Sequence, residues 1–81
     1  MKKILLSDYK EYMGVFIEVN DNYKMIVKNS IHIPYDNLVI NYKELLNKSN
    51  KYFIYCNSGV KSKKAVNILS FYGYDVTLVV K

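Results

Sequence analysis

The chain has 81 residues, a formal net charge of +5 and an apolar share of 51%, which places it among globular chains and outside the disordered class. Every basic side chain is lysine. Without the guanidinium fork that grips phosphates and bases in pairs, nucleic acid is not the expected partner, although the positive field favours small anions. One cysteine excludes an intrachain disulfide, and with one histidine beside it no structural zinc set can form, so neither a metal nor a cofactor is expected.

Ile4-Leu5-Leu6 behind Lys2 and Lys3 is too short for a secretory h-region, and no run reaches membrane-spanning length. No membrane partner is expected, and a cytoplasmic setting with a reduced thiol is the reading. The absence of repeats, linkers or low-complexity tracts predicts a single domain over residues 1–81. A chain this short buries only about 60–65% of its extended surface, so its core is thin.

Lys3 to Leu6 reads as a short strand. Ser7-Asp8 can cap a brief helix over Tyr9 to Met13, which Gly14 ends. Val15-Phe16-Ile17-Glu18-Val19 is a nearly continuous apolar run, as in a strand covered on both faces, and Asn20-Asp21-Asn22 turns the chain. Ile31-His32-Ile33 alternates like a strand that Pro34 closes, with Asp36 read as a turn residue. Asn41 with Glu44 resembles a capping box for a helix carrying Tyr42, Leu45 and Leu46 to about Asn47.

Tyr52 to Tyr55 is the next strand, with Cys56 at its exit. From Ser62, the residues Ala65, Ile68, Leu69 and Tyr72 recur on one helical face until Gly73, and Val76 to Val80 forms a last buried strand. This alternation predicts an α/β fold with a mostly parallel sheet of about five strands flanked by short helices. Ligands collect beyond the carboxyl ends of such strands, and Cys56 stands at one of them.

A thiol of ordinary pKa, about 8.5, is mostly protonated at neutral pH, whereas a helix N-terminus and nearby cations can lower that value. The segment Asn57-Ser58-Gly59-Val60-Lys61 can curl so that its N–H groups point at the sulfur, with Gly59 permitting a positive φ and Ser62 serving as N-cap. Lys63 and Lys64 would then occupy the first turn, against the helix dipole, a local conflict that suits an anion site. Spacing alone also fits a buried structural cysteine ahead of an ordinary strand–loop–helix turn.

Tyr55-Cys56-Asn57-Ser58-Gly59-Val60-Lys61-Ser62 resembles the catalytic loop of rhodanese-type sulfurtransferases, Cys-x-x-Gly-x-Arg/Lys-Ser after an apolar strand. Ala65, Leu69 and Gly73-Tyr74 match that family's following helix and its exit. Ile17-Glu18-Val19-Asn20 stands where the family has Ile-Asp-Val-Arg, and Asn29-Ser30-Ile31-His32-Ile33-Pro34 where it has Gly-Ala-Ile-Asn-Ile-Pro. The resemblance implies a small rhodanese-like domain in which Cys56 takes sulfane sulfur from thiosulfate or a persulfide donor and passes it to a thiophilic acceptor. Cys56 would be catalytic, and Asn57, Ser58, Gly59, Val60, Lys61 and Ser62 would form the anion-binding loop, with Lys61 orienting the donor. The implied partners are a small anionic sulfur donor and a thiol or sulfur-carrier protein as acceptor.

Asn20 replaces the family's arginine, and the chain stops after Val80-Lys81, short of the usual closing helix, so one sheet face is expected to be poorly covered. These departures leave a second reading open, a catalytically weak or inactive binding or sulfur-relay module. A cysteine phosphatase is disfavoured, because its Cys-x5-Arg loop would need arginine where Ser62 stands. Glu18 is a candidate for orienting loop groups, whereas His32 reads as a non-catalytic strand residue. Tyr52, Tyr55, Tyr72 and Tyr74 read as core and rim.

Overall fold

A computed structural model describes all 81 residues. The strands are β1 (Lys3–Leu5), β2 (Val15–Glu18), β3 (Ile31–His32), β4 (Lys51–Tyr55) and β5 (Asp75–Val80), and the helices are α1 (Tyr35–Leu45) and α2 (Val60–Phe71). All neighbouring strands pair in parallel in the order β1-β5-β4-β2-β3, the α/β sheet that the alternation of elements predicts. β4 is the middle strand, and Tyr52 to Tyr55 are all buried, which explains its unbroken apolar run.

The two faces of the sheet are filled unequally. Ile17, Tyr52, Ile54, Val76 and Leu78 turn toward α1 and α2, where Leu38, Ala65, Val66 and Leu69 complete a core of 13 buried residues. The opposite face buries four hydrophobic residues, Phe16, Phe53, Tyr55 and Val79, against Leu6, Tyr9, Met13 and Val27. The expectation of a poorly covered face is therefore corrected. The Tyr9 ring lies 4.9 Å from that of Phe16 and 5.1 Å from that of Phe53, and its hydroxyl donates to the Gly14 carbonyl at 2.7 Å.

Several local predictions shift. In place of a helix over Tyr9 to Met13 there are two single 3-10 turns, Leu6–Asp8 and Glu11–Met13, with Lys10 extended between them. Such a segment is too short to sustain an α-helix, and Tyr9 and Met13 are held instead by packing on the sheet. The helix α1 starts six residues before the supposed capping box, because Pro34 supplies a rigid entry and its carbonyl accepts from Leu38 N–H at 3.0 Å. Asp36 thus lies in a first helical turn, where the dipole favours it, rather than in an isolated turn. Asn41 caps nothing; it sits inside α1 at a kink (φ −109°, ψ 21°) and its amide donates to Asn37 Oδ1 at 2.6 Å.

The buried stripe of α2 is Ser62, Ala65, Val66 and Leu69, rotated from the predicted one. Tyr72 lies past the end of α2, half exposed, and its ring stacks on Tyr42 at 4.9 Å. The rotation brings Ser62 inward, beneath the end of β4.

Candidate active site

Parallel alternation decides where the sulfur goes. Tyr52, Ile54 and Cys56 belong to the helical face, and Cys56 follows immediately after β4 at the carboxyl edge of the sheet. Gly59 then takes a left-handed conformation (φ 79°, ψ −11°). A Cβ there would meet nothing within 4 Å, so the backbone angle, not space, calls for glycine. The turn lets α2 begin at Val60, which makes Gly59 the N-cap residue and corrects the assignment of Ser62 to that position. Consequently the first turn runs from Val60 to Lys63, and Lys61 and Lys63 occupy it instead of Lys63 and Lys64.

Ser62, fully buried as the third residue of α2, faces the sulfur. Its N–H donates to Cys56 Sγ at 3.2 Å, and its hydroxyl oxygen lies 3.3 Å from Sγ while donating to the Gly59 carbonyl at 3.2 Å. The Ser58 hydroxyl is 3.8 Å away. Burial of the thiol, 3% exposed, pushes its pKa up, but the hydrogen bonds from Ser62, Ser58 and Gly59 together outweigh that cost and hold it below the usual thiol value. The N-terminal end of α2 favours the same charge state.

The ring of inward amides is smaller than the sequence suggests. Asn57 N–H points away from the sulfur and donates to Asn20 Oδ1 at 3.0 Å, while Val60 N–H donates to Ser58 Oγ at 3.3 Å. Asn20 in turn donates through Nδ2 to Glu18 Oε2 at 3.1 Å. Glu18 is fully buried and also accepts from Lys24 N–H at 2.7 Å and Ile26 N–H at 3.4 Å, so it ties the β2–β3 connection together and touches the cysteine loop only through Asn20. His32 Nε2 donates to the Asn20 carbonyl at 2.6 Å, and its ring stacks on Tyr23.

Lys61 does not face the sulfur. Its ammonium pairs with Asp21 at 2.8 Å, and that hydrogen bond is the main reason its pKa is raised. Val60 is exposed and turned outward, as are Lys63 and Lys64.

A cleft of about 280 Å³ opens beside the sulfur, lined by Cys56, Asn57, Ser58, Gly59, Val79, Val80 and Lys81. Of the loop residues singled out in the sequence, Cys56 to Gly59 border this space, Ser62 holds the sulfur from behind, and Val60 and Lys61 belong to the outer surface. Sequence reasoning missed Asn20 and Asp21 as loop ties and Val79 to Lys81 as cleft wall. Asn20 carried a signal, since it stands in the arginine position of an otherwise matching motif. The Val79–Lys81 wall carried none, because only the strand order places the end of β5 beside that of β4. No group of three or more His, Cys, Asp or Glu side chains converges where a metal could be held.

A parallel α/β sheet with a hydrogen-bonded thiol at the strand-to-helix turn defines the class, and comparison with known proteins gives the family. The family model of the Rhodanese-like domain matches residues 6–81, and the chain belongs to that family. No curated protein matches the chain. Among solved structures, the rhodanese-related protein from Thermoplasma volcanium is 28% identical, with a TM-score of 0.86 over 99% of this chain and 84% of that one. A rhodanese-like domain protein from Staphylococcus aureus is 27% identical, with a TM-score of 0.78 over 99% of this chain and 85% of the other. The CoADR-RHD protein of Bacillus anthracis is 25% identical at a TM-score of 0.82, where 96% of this chain corresponds to 15% of that one. No helix is long and apolar enough to cross a membrane.

Proposed function

We propose that the chain is a sulfurtransferase that carries sulfane sulfur on Cys56. The observation that supports this reading is a thiol shifted toward its anion by Ser62, at the edge of an open cleft. The Cys56 thiolate attacks the outer sulfur of thiosulfate; the new Sγ–S bond forms as the sulfur–sulfur bond of the donor breaks, and sulfite leaves with the electron pair. A nucleophilic acceptor then attacks the terminal sulfur, and Cys56 departs again as thiolate. The hydrogen bonds at Sγ shift the thiol toward its reacting anion, which lessens the need for a general base.

Ser62 N–H is the donor aimed at Sγ, and its hydroxyl can turn from the Gly59 carbonyl toward the sulfur as negative charge settles there. The cleft beside Cys56 leaves room for one added sulfur and its leaving oxyanion. Arginine, which a phosphoryl-transfer loop would use to hold its transition state, is absent from the chain. The pairing of Lys61 with Asp21 favours the second reading, a relay module that accepts a persulfide but turns over thiosulfate slowly, since the loop's own cation is engaged.

Sulfite release from thiosulfate, with Cys56→Ser as control, tests the proposal together with the mass of the protein after exposure to donor. The expected result is turnover in the parent, a gain of one sulfur atom at Cys56, and neither in the variant. A parent chain that gains sulfur from a persulfide but releases no sulfite supports the relay role, and one that gains none overturns both.

A further inference from the structure

We infer that Asp21 is a positioning residue for the cysteine loop: by holding the Lys61 ammonium it weakens the pull of the Cys56 site on strongly anionic donors, and so favours persulfides of low net charge over the thiosulfate dianion. The inference deepens the sulfur-transfer reading, on which the identity of the donor rests. The first turn of α2 holds no acidic residue, so the carboxylate bonded to Lys61 at 2.8 Å comes from the β2–β3 connection, 40 residues away in the chain. That connection is itself fixed. Asp21 follows Asn20, whose Oδ1 accepts from Asn57 N–H at 3.0 Å, whose Nδ2 donates to the buried Glu18 at 3.1 Å, and whose carbonyl accepts from His32 at 2.6 Å. Two successive residues thus grip the two ends of the cysteine loop, Asn20 at Asn57 and Asp21 at Lys61.

Lys61 is the cation that this grip controls. It precedes Ser62, whose N–H donates to Sγ at 3.2 Å. The hydrogen bond from Asp21 is the first cause of its raised pKa, and the negative charge of Cys56 is among the others, so ammonium and sulfur act on each other. A carboxylate bonded to that ammonium cancels much of its field at a distance, because the two opposite charges then act as a dipole. A donor gains little at such a loop from carrying two negative charges. Transfer from a persulfide, R–S–SH, needs no such attraction. The Cys56 thiolate attacks the terminal sulfur, the Sγ–S bond forms as the donor's sulfur–sulfur bond breaks, R–S leaves with the electron pair as a thiolate, and the proton stays on the transferred sulfur.

Alkylation of Cys56 in the full chain tests this without any need for sulfur transfer. Iodoacetate and iodoacetamide both form a C–S bond with loss of iodide, but only the first is an anion, so the ratio of their rates reads the charge felt at the sulfur. Asp21→Asn is expected to raise that ratio about threefold, Lys61→Ala to lower it, the double variant to return it near the parent value and Asp21→Glu to preserve it, with about 0.5 M salt shrinking the differences. Asp21 is exposed, so loss of its charge leaves the fold intact. Among donors, Asp21→Asn is expected to raise kcat/KM for thiosulfate more than for cysteine persulfide. An unchanged ratio in Asp21→Asn, a ratio that does not fall in Lys61→Ala, or an equal gain for both donors overturns the inference. A raised ratio in a chain that gains no sulfur from either donor keeps the role of Asp21 at the thiol and removes the sulfur-transfer reading. Sulfur gain with an unchanged ratio does the reverse.

Discussion

Glu18 and Cys56 stand at the ends of neighbouring parallel strands, and both are buried, at 0% and 3% exposure. Each has N–H donors gathered around it, yet they point to opposite faces of the sheet and end in different surroundings. The Glu18 carboxyl takes bonds from Lys24 N–H, Ile26 N–H and the Asn20 amide, all from the chain that follows β2. No cleft opens onto it. Cys56 receives its closest donor, Ser62 N–H, from the start of α2, while its other side borders about 280 Å³ of open space. A shell closed on all sides fixes a loop; the same device with one side open prepares a reacting atom. Asn20 joins the two, with Nδ2 on Glu18 and Oδ1 on the Asn57 amide.

The largest effect expected from breaking this arrangement is on stability. Glu18→Ala strips an acceptor from three partly buried N–H groups, and leaving such donors unpaired costs about 1–3 kcal/mol. For a chain of this size the midpoint of thermal unfolding falls roughly 4–8 °C per kcal/mol, which circular dichroism resolves easily. A loss below about 0.5 kcal/mol would mean that water replaces the carboxyl and that the shell is not closed.

Ser62→Ala should act on reactivity instead. It keeps the N–H on Sγ but removes the hydroxyl 3.3 Å away, one of the groups that hold the thiol pKa down. Only the thiolate is alkylated, so the parent's alkylation midpoint should lie below the usual thiol value, and the variant's midpoint should move back up. At a pH below both midpoints the variant should therefore be alkylated more slowly than the parent. An unmoved midpoint would transfer the effect to the backbone N–H and the helix end alone.

The contrast between the two strand ends also explains what was legible in the sequence. Tyr52 to Tyr55, followed by a glycine loop and an apolar stripe, places a cysteine at a strand-to-helix turn by local pattern alone, and the structure has it there. The N-cap and the amide directions were not legible, because they follow from Gly59 adopting φ 79° and starting α2 three residues early. Lys61 looked free in sequence because its partner Asp21 is 40 residues away. The cover over Phe16 and Phe53 was equally hidden, since 3-10 turns carry no periodic stripe, and Tyr9 is recruited by ring packing rather than by helix formation.

Tyr55 sharpens the comparison with the smallest expected effect. It is the register partner of Glu18 and the chain neighbour of Cys56, and its hydroxyl is buried with no protein partner. Burial first, and then the negative charges of Cys56 and Glu18, push its pKa up, so it stays a neutral phenol. A hydroxyl in that position contributes nothing that its ring does not already supply, and its lost hydration opposes folding. Tyr55→Phe should therefore leave stability unchanged or raise it by about 1 kcal/mol, because removing an unpaired buried group lifts its desolvation cost. The alkylation midpoint of Cys56 should not move. If the variant instead loses stability, a trapped water is satisfying the hydroxyl; if the thiol midpoint rises, the hydroxyl reaches the sulfur, and the two sheet faces are electrostatically joined through Tyr55 as well as through Asn20.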